Sequence, residues 1–239
     1  MEINQFIEDL KRRGMVPSMK RFRYNVNLTT AGSYMQQIGK ALTKDFVIDN
    51  DNKFVFLNIL KWLVGDETAE CLDPESRQVI TADLKKGLYI AGPTGTGKTM
   101  CLKVFQLFAK IDDVKVEFMN ADQGKPDKYF IFGGEQFRSD QICDEFAKTG
   151  KLEKFKKARI LTINDMGSES SETLYMGNRL NCLQEIVEYR GDQLDQLTFI
   201  TSNNRINDQD NVAKYGDRVV SRLTEMCNYY ELTGKDRRK

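Results

Sequence analysis

The chain has 239 residues, of which 40% are hydrophobic and 30% charged, and its formal net charge is +1. This composition is typical of a soluble globular chain with room for one good-sized domain and a small additional module. A net charge so close to zero excludes a global field that attracts nucleic acid or anionic lipid, so any nucleic-acid contact must come from a local patch.

The absence of histidine excludes Ser-His-Asp and Cys-His nucleophiles and zinc sites with imidazole ligands. The five cysteines include no Cys-x-x-Cys pair, so we expect reduced, mostly buried thiols. The longest apolar stretch, residues 54–64, is too short to cross a bilayer. The N-terminus has acidic residues where a signal peptide would be basic and then apolar. We therefore expect a cytoplasmic protein with no membrane contact.

In chain order, the first quarter of the sequence predicts three helices, at residues 3–10, 30–42 and 53–64. A basic stretch with Lys20, Arg21 and Arg23 and a connector at 45–51 separate them, and a polar loop at 65–80 follows. From there strands alternate with helices, and residues 120–128 form a polar insertion. The predicted strands are 87–91, 114–119, 129–132, 160–163 and 197–202, and the predicted helices are 100–110, 135–148 and 179–189. This alternation predicts a parallel sheet covered by helices on both faces.

The strongest motif is GPTGTGKT at residues 92–99, which fits the Walker A pattern G-x-x-x-x-G-K-[ST]. Its glycines let the backbone turn so that N–H groups point at phosphate oxygens, and the following helix adds the positive end of its dipole. Lys98 supplies a cation to the β- and γ-phosphates, and the Thr99 hydroxyl is a ligand for Mg²⁺. The predicted nucleotide-binding residues are Gly92, Pro93, Thr94, Gly95, Thr96, Gly97, Lys98 and Thr99. ATP is the expected nucleotide, because no N-K-x-D segment of a GTPase follows the loop.

Two further segments each have two possible interpretations, one functional and one purely structural. The strand at 197–202 is followed by Asn203, which either positions an attacking water near the γ-phosphate or simply forms a turn. Arg218 and Arg222 are four residues apart and share one helix face. That face either presents an arginine finger to the nucleotide of a neighbouring subunit or is merely solvated.

The segments GPTGTGKT, ILTINDMG, FITSN, YGDRVVSRL and GKDRR occur in this order. Together they resemble the AAA+ ATPases of the DnaC/DnaI helicase-loader and IstB transposition-helper group, over residues 85–239. The resemblance implies that Asn203 is the sensor 1 residue and Arg222 the arginine finger, with Arg218 as the weaker candidate. It also implies that Arg238 is the sensor 2 arginine.

The resemblance implies an α/β fold, a P-loop NTPase of the AAA+ type with a parallel sheet between helices and a small N-terminal helical extension. Residues 51–239 would form the AAA+ ATPase domain, and residues 1–50 a helical module that either docks a partner or only packs on the domain. The implied cofactors are ATP and Mg²⁺, and the implied assembly is a nucleotide-dependent homo-oligomer.

The implied activity is ATP hydrolysis that loads or remodels a DNA-handling partner such as a replicative DNA helicase. One alternative is a helper ATPase for a transposase, and another is an ATP-dependent assembly switch with weak hydrolysis. Single-stranded or duplex DNA is a further expected ligand. Local support for DNA is limited to the basic residues near the N-terminus, which are better explained as solvated charges on a helical arm.

The sequence departs from the group at Asn164. Group members carry two acids after the apolar strand, the first for the Mg²⁺ shell and the second to polarise water, whereas this chain has Asn164 and then Asp165. We prefer Asn164 in the metal position and Asp165 in the water position. In the other alignment Asp165 takes the metal position, after a less apolar run. Losing a charge-assisted hydrogen bond of about 1.5–3 kcal/mol slows turnover about ten- to a hundred-fold. ATP binding would persist, because Lys98 and the loop remain.

Overall fold

The computed structural model describes residues 3–13, 16, 18–120 and 123–237. The helices in this part of the chain are α1 (Ile3–Arg12), α2 (Leu28–Leu42), α3 (Lys53–Leu63), α4 (Lys98–Ile111), α5 (Ser139–Thr149), α6 (Glu153–Lys157), α7 (Cys182–Gly191), α8 (Gln209–Tyr215) and α9 (Asp217–Met226). The strands are β1 (Met19–Arg21), β2 (Glu70–Leu72), β3 (Val79–Thr81), β4 (Gly87–Ala91), β5 (Lys115–Asn120), β6 (Lys125–Phe130), β7 (Glu135–Arg138), β8 (Ile160–Met166), β9 (Thr173–Tyr175), β10 (Asn178–Leu180), β11 (Leu197–Ser202) and β12 (Cys227–Glu231).

A seven-stranded sheet with the order β3-β2-β12-β4-β11-β8-β7 forms the centre of the fold. The strands from β12 to β7 pair in parallel, while β2 and β3 extend the sheet by antiparallel pairing. β4 and β11 are buried along their whole length, as expected for parallel strands with helices on both faces. The predicted α/β class, with a parallel sheet between helices, is confirmed.

Two apolar cores lie on the two faces of this sheet. On one face, Ile90 and Phe199 pack with Trp62 of α3 and Phe105 of α4. Met35 of α2 is buried in this same core, so α2 packs on the domain that contains the central sheet. The other core includes residues of β8, α5, α7 and α9. All five cysteines are buried and form no disulfide.

The first predicted strand after α4 exists but does not join the parallel sheet. β5 pairs antiparallel with β1 and with β6, which together form a separate three-stranded sheet. Most of the predicted polar insertion therefore forms this hairpin, with β6 at Lys125–Phe130 in place of a strand at 129–132. The prediction that this strand joins the parallel sheet was wrong. Its partner β1 lies in the basic stretch near the N-terminus, and that stretch has no strand pattern of its own.

Four strands of the central sheet were not predicted. β2 and β3 occupy the predicted loop at 65–80, and β7 replaces the first turn of the predicted helix at 135–148. β7 is a short edge strand with an exposed pattern, so it lacks the alternation by which strands are recognised. β12 had no predicted element. No described helix is long and apolar enough to span a membrane.

Candidate nucleotide-binding site

The loop at residues 92–99 connects the end of β4 to the start of α4. Gly97 lies immediately before α4 with φ +93°, a left-handed conformation that glycine adopts without steric cost. Gly95 has φ +85°, and a Cβ there would lie 2.1 Å from Oδ1 of Asp236. The loop can therefore turn tightly and direct the first N–H groups of α4, which have no acceptor within the helix, at one position.

A cavity of about 820 Å³ lies over this loop, within the usual range of about 300–1,000 Å³ for small-molecule sites. Its lining residues are Thr43, Asp45, Phe46, Val47, Asn52, Phe56, Thr94, Gly95, Thr96, Gly97, Lys98, Thr99, Met100, Lys103, Arg138, Asp165, Ser168, Asn203 and Arg237. The residues from 43 to 56 include two aromatic rings, whereas the other walls are mainly polar. The cavity thus has an end suited to a base and an end suited to phosphates.

Four basic side chains line the cavity, and only two acidic ones oppose them. The basic residues are Lys98, Lys103, Arg138 and Arg237, and the acidic ones are Asp45 and Asp165. This excess of positive charge favours a polyphosphate ligand.

Lys98 is 6% exposed, and its ammonium group is held by three oxygen acceptors. It donates to the carbonyls of Gly92 (2.7 Å) and Pro93 (3.0 Å) and to Oδ1 of Asn203 (2.9 Å). Lys98 and Asn203 meet because β4 and β11 are neighbouring parallel strands that end at the same edge of the sheet. Sequence analysis predicted both residues for the phosphate site, and the structure brings them into contact.

β8, which bears Asp165, lies next to β11 on its other side, so one strand separates β8 from β4. The site thus combines a glycine-rich loop before a helix, a lysine of that loop in the cavity, and an acid on β8. The chain has the fold of a P-loop NTPase.

Asp165 and Asn164 differ sharply in their surroundings within this P-loop fold. The pairing of β8 with β11 shifts between Ile200 and Ser202, and Asp165 adopts φ +57°. Asp165 lines the cavity, whereas Asn164 is 7% exposed and does not line it. Oδ1 of Asn164 accepts a hydrogen bond from Oγ1 of Thr201 (3.3 Å).

Four hydrogen bonds hold the backbone at the bend in β8. The N–H of Asp165 donates to Oγ1 of Thr201 (3.0 Å), and the Asp165 carbonyl accepts from Oγ of Ser139 (2.8 Å) and from Oγ of Ser168 (2.8 Å). Oγ of Ser202 donates to the Met166 carbonyl (2.6 Å). These contacts offset the cost of a left-handed non-glycine residue, about 1–3 kcal/mol.

The donor set at this end of the cavity suits Mg²⁺. The Thr99 hydroxyl and the Asp165 carboxylate line the same cavity, and Mg²⁺ commonly takes one or two protein oxygens together with phosphate oxygens and water. No group of three or more His, Cys, Asp or Glu that could hold a metal alone occurs among residues 3–13, 16, 18–120 and 123–237. The metal role of Asn164 stays a prediction.

The segment after Asp165 is connected to α8 by a buried carboxylate, Glu169. Its side chain accepts from the N–H of Gly167 (3.0 Å), pairs with Lys214 Nζ (3.1 Å) and accepts from the hydroxyl of Tyr215. Burial, followed by the charge of Glu169, raises the pKa of Tyr215 well above its ordinary value, so the phenol keeps its proton. Tyr215 is the last residue of α8, and α9 begins two residues later.

The predicted arginine-finger residues lie on α9, outside the cavity of their own chain. Arg222 pairs with Glu225 (2.8 Å) and Asp192, and the hydrogen bond to Glu225 is the main reason that its pKa is raised. Arg218 is more exposed, with Nη1 3.7 Å from Oε2 of Glu188. The predicted sensor 2 residue Arg238 lies outside the described residues.

Sequence reasoning missed Arg237, which lines the cavity. Its guanidinium makes two hydrogen bonds of 2.9 Å to the carboxylate of Asp49, and its backbone N–H donates to the carbonyl of Gly95 (3.0 Å). The segment GKDRR was the available signal, but sequence analysis assigned a role only to Arg238. Arg138 was missed because a helix was predicted where β7 ends.

No protein-family model matches this sequence, and no curated protein is similar to it. Solved structures match over about four fifths of the chain. A primosome component from Streptococcus pyogenes serotype M3, described as putative, is 20% identical and matches 81% of this chain and 86% of its own, with a TM-score of 0.48. The DnaC helicase loader is 18% identical and matches 81% of this chain and 96% of its own, with a TM-score of 0.46.

Domain III of the Thermotoga maritima replication initiation protein DnaA is also similar. It is 18% identical and matches 79% of this chain and 65% of its own, with a TM-score of 0.49. The similar structures include the DnaC helicase loader, a member of the group that the sequence motifs resemble. At these values the similarity says nothing of activity, which has to be argued from the cavity itself.

Proposed function

We propose that this chain is an AAA+ ATPase that binds ATP with Mg²⁺ in the cavity over residues 92–99. The observation that carries the proposal is the contact of Lys98 with Asn203 beside Asp165 in a basic cavity. A phosphate oxygen offers the Lys98 ammonium a charged acceptor, which is stronger than the neutral oxygens that hold it here. Phe46 and Phe56 line the other end, where a base can pack against their rings.

We propose roles for the remaining residues from the cavity lining and from the resemblance. Thr99 and Asp165 would hold the Mg²⁺ shell, and Mg²⁺ would neutralise phosphate charge. Asp165 is also the candidate for positioning the attacking water, with Asn203 beside the γ-phosphate. Arg222, and more weakly Arg218, would complete the site of a neighbouring subunit, so we propose assembly that depends on nucleotide.

Binding of a fluorescent ATP analogue to wild type and to Lys98→Ala tests the nucleotide proposal. We expect Lys98→Ala to weaken binding at least about ten-fold, the value of one charge-assisted hydrogen bond. The exposed Lys157 at the end of α6 offers a matched control, since Lys157→Ala removes the same charge outside the cavity. Equal affinity of Lys98→Ala and wild type would contradict the proposal.

We further propose that the ATPase acts on a DNA-handling partner, a replicative helicase, and that α1 contributes to the contact. α2 is packed on the domain, whereas Ile3 and Phe6 of α1 are 69% and 43% exposed. A pull-down from the native host, with wild type and Phe6→Ser, tests this. Recovery of a transposase would favour the helper-ATPase alternative, and recovery of neither would argue against both.

An assembly switch with weak hydrolysis is the second candidate function. The neutral Asn164 favours it, because the chain has one carboxylate where the resembling group has two. Single-turnover hydrolysis, with and without single-stranded DNA, separates the candidates. No hydrolysis by wild type together with robust hydrolysis by Asn164→Asp would support the switch and overturn the ATPase.

A further inference from the structure

Arg138 is a cation of the cavity that no predicted role includes. It is the last residue of β7 and pairs in register with Asn164 of β8. Residues in register on parallel strands direct their side chains to the same face of a sheet, so Arg138 comes next to Asn164. It lines the cavity together with Thr99, Asp165 and Asn203, the residues proposed for the phosphate end.

The backbone at Arg138 is fixed relative to Asp165. The N–H of Arg138 donates to Oε1 of Gln141 (2.9 Å), and the next residue, Ser139, is fully buried. Oγ of Ser139 donates to the carbonyl of Asp165 (2.8 Å). The base of the Arg138 side chain is therefore positioned by the same contacts that hold the acid of the site.

Within the part of the chain that the structure describes, the guanidinium itself is held only by an exposed ion pair. Its Nε lies 3.2 Å from Oδ1 of Asp140, its Nη2 lies 3.1 Å from Oδ2, and the two side chains are 56% and 48% exposed. Ion pairs this exposed contribute little, because water screens them. A phosphate offers more oxygens and more charge, and planar guanidinium groups bind it through two parallel hydrogen bonds.

The neutral side chain at position 164 adds to the importance of Arg138. If Asn164 takes the metal position, its amide binds Mg²⁺ less strongly than a carboxylate would, because it carries no charge. Neutralisation of the phosphates then depends more on the cations of the protein, and Arg138 is one of those that line the cavity. We propose that Arg138 binds the terminal phosphate of ATP in cis and so sets the preference for ATP over ADP, an inference that rests on the proposed ATP binding.

Equilibrium binding of ATP and of ADP to wild type, Arg138→Ala and Arg138→Lys tests this. We expect Arg138→Ala to weaken ATP binding about ten- to a hundred-fold while ADP affinity changes less than about two-fold. Arg138→Lys should restore part of the ATP affinity, since a point charge replaces the two parallel hydrogen bonds. Removing Mg²⁺ with a chelator should weaken ATP binding more in Arg138→Ala than in wild type.

Arg179→Ala is the matched control, because Arg179 is an exposed arginine outside the cavity, 3.5 Å from a carboxylate oxygen of Glu172. It should leave both affinities at the wild-type values. If a folded Arg138→Ala keeps the wild-type preference for ATP over ADP, the inference about Arg138 is wrong, but the proposed function stands. The same holds if Arg138→Ala loses affinity for ATP and for ADP to the same extent. Wild type that binds neither nucleotide overturns the proposed function and the inference with it.

Discussion

Replacing Asp165 by asparagine distinguishes the two alignments of the acidic strand. Asparagine has nearly the same shape and, like aspartate, tolerates the left-handed backbone that the site requires at φ +57°. The hydrogen bonds of the Asp165 backbone with Thr201, Ser139 and Ser168 do not involve the Asp165 side chain. Asp165→Asn should therefore fold normally and lose only the carboxylate that lines the cavity.

The expected size of the effect follows from what that carboxylate does. Positioning and activating the attacking water is worth about 10²–10⁴ in rate. Lys98 and the loop at 92–99 supply the contacts proposed to hold ATP, and neither changes in the variant. We expect single-turnover hydrolysis to fall by about 10²–10⁴, while the Kd for ATP in the absence of Mg²⁺ changes less than about two-fold.

Single-turnover hydrolysis at saturating protein measures the chemical step separately from binding. Asp113→Asn is a matched control, because Asp113 is also an aspartate with positive φ (50°), in a turn outside the cavity. It should hydrolyse ATP at the wild-type rate. If Asp165→Asn retains that rate and Asn164→Asp alters it, the assignment of the catalytic acid to Asp165 is wrong.

Three further predictions concern contacts around the site and the core. Arg222→Ala should leave ATP binding unchanged. It should abolish any rise of specific ATPase activity with protein concentration, because an arginine finger from a neighbouring subunit raises the hydrolysis rate about 10³-fold. A rise that persists in Arg222→Ala would contradict the role of Arg222 in a neighbour's site. Asp49→Asn tests pH dependence. The hydrogen bond from Arg237 lowers the pKa of Asp49, so the stabilisation is complete above the ordinary carboxyl pKa of about 3.9 and is lost as the pH falls through the lowered value. The Tm of wild type should thus exceed that of Asp49→Asn at pH 6, and the difference should shrink as the pH falls below the ordinary carboxyl pKa of about 3.9; a difference that stays constant over this range would contradict the role of the Asp49 charge. Arg190→Met should lower the free energy of unfolding in urea by about 3–5 kcal/mol, since Arg190 is 1% exposed and satisfies buried carbonyl oxygens that methionine cannot; a loss below about 1 kcal/mol would refute this account.

Local features of the chain were predictable because their causes are local. The loop at 92–99 needs adjacent glycines, a lysine and a threonine, and buried parallel strands such as β4 and β11 are short apolar runs. Lys98 and Asn203 could be placed at one edge of the sheet by the rule that parallel strands end together. These elements therefore agree between sequence and structure.

What could not be predicted depends on distant partners. Asp165 faces the cavity because Thr201, on another strand, accepts its N–H at the bend. Arg138 ends an edge strand whose Glu and Gln favour helices by intrinsic propensity. Arg237 lies in the cavity because residues 232–237 return to the loop at 92–99, with hydrogen bonds to Ala91 and Gly95. None of these contacts leaves a periodic pattern in the sequence.

Glu169 has a consequence for how one subunit of the proposed assembly would affect the site of its neighbour. It connects Lys214 and Tyr215, at the end of α8, to the segment that begins at Asp165. α9 begins two residues after Tyr215. In the proposed assembly, a neighbour that displaces α9 and with it the end of α8 would therefore move the segment at Asp165 through these bonds.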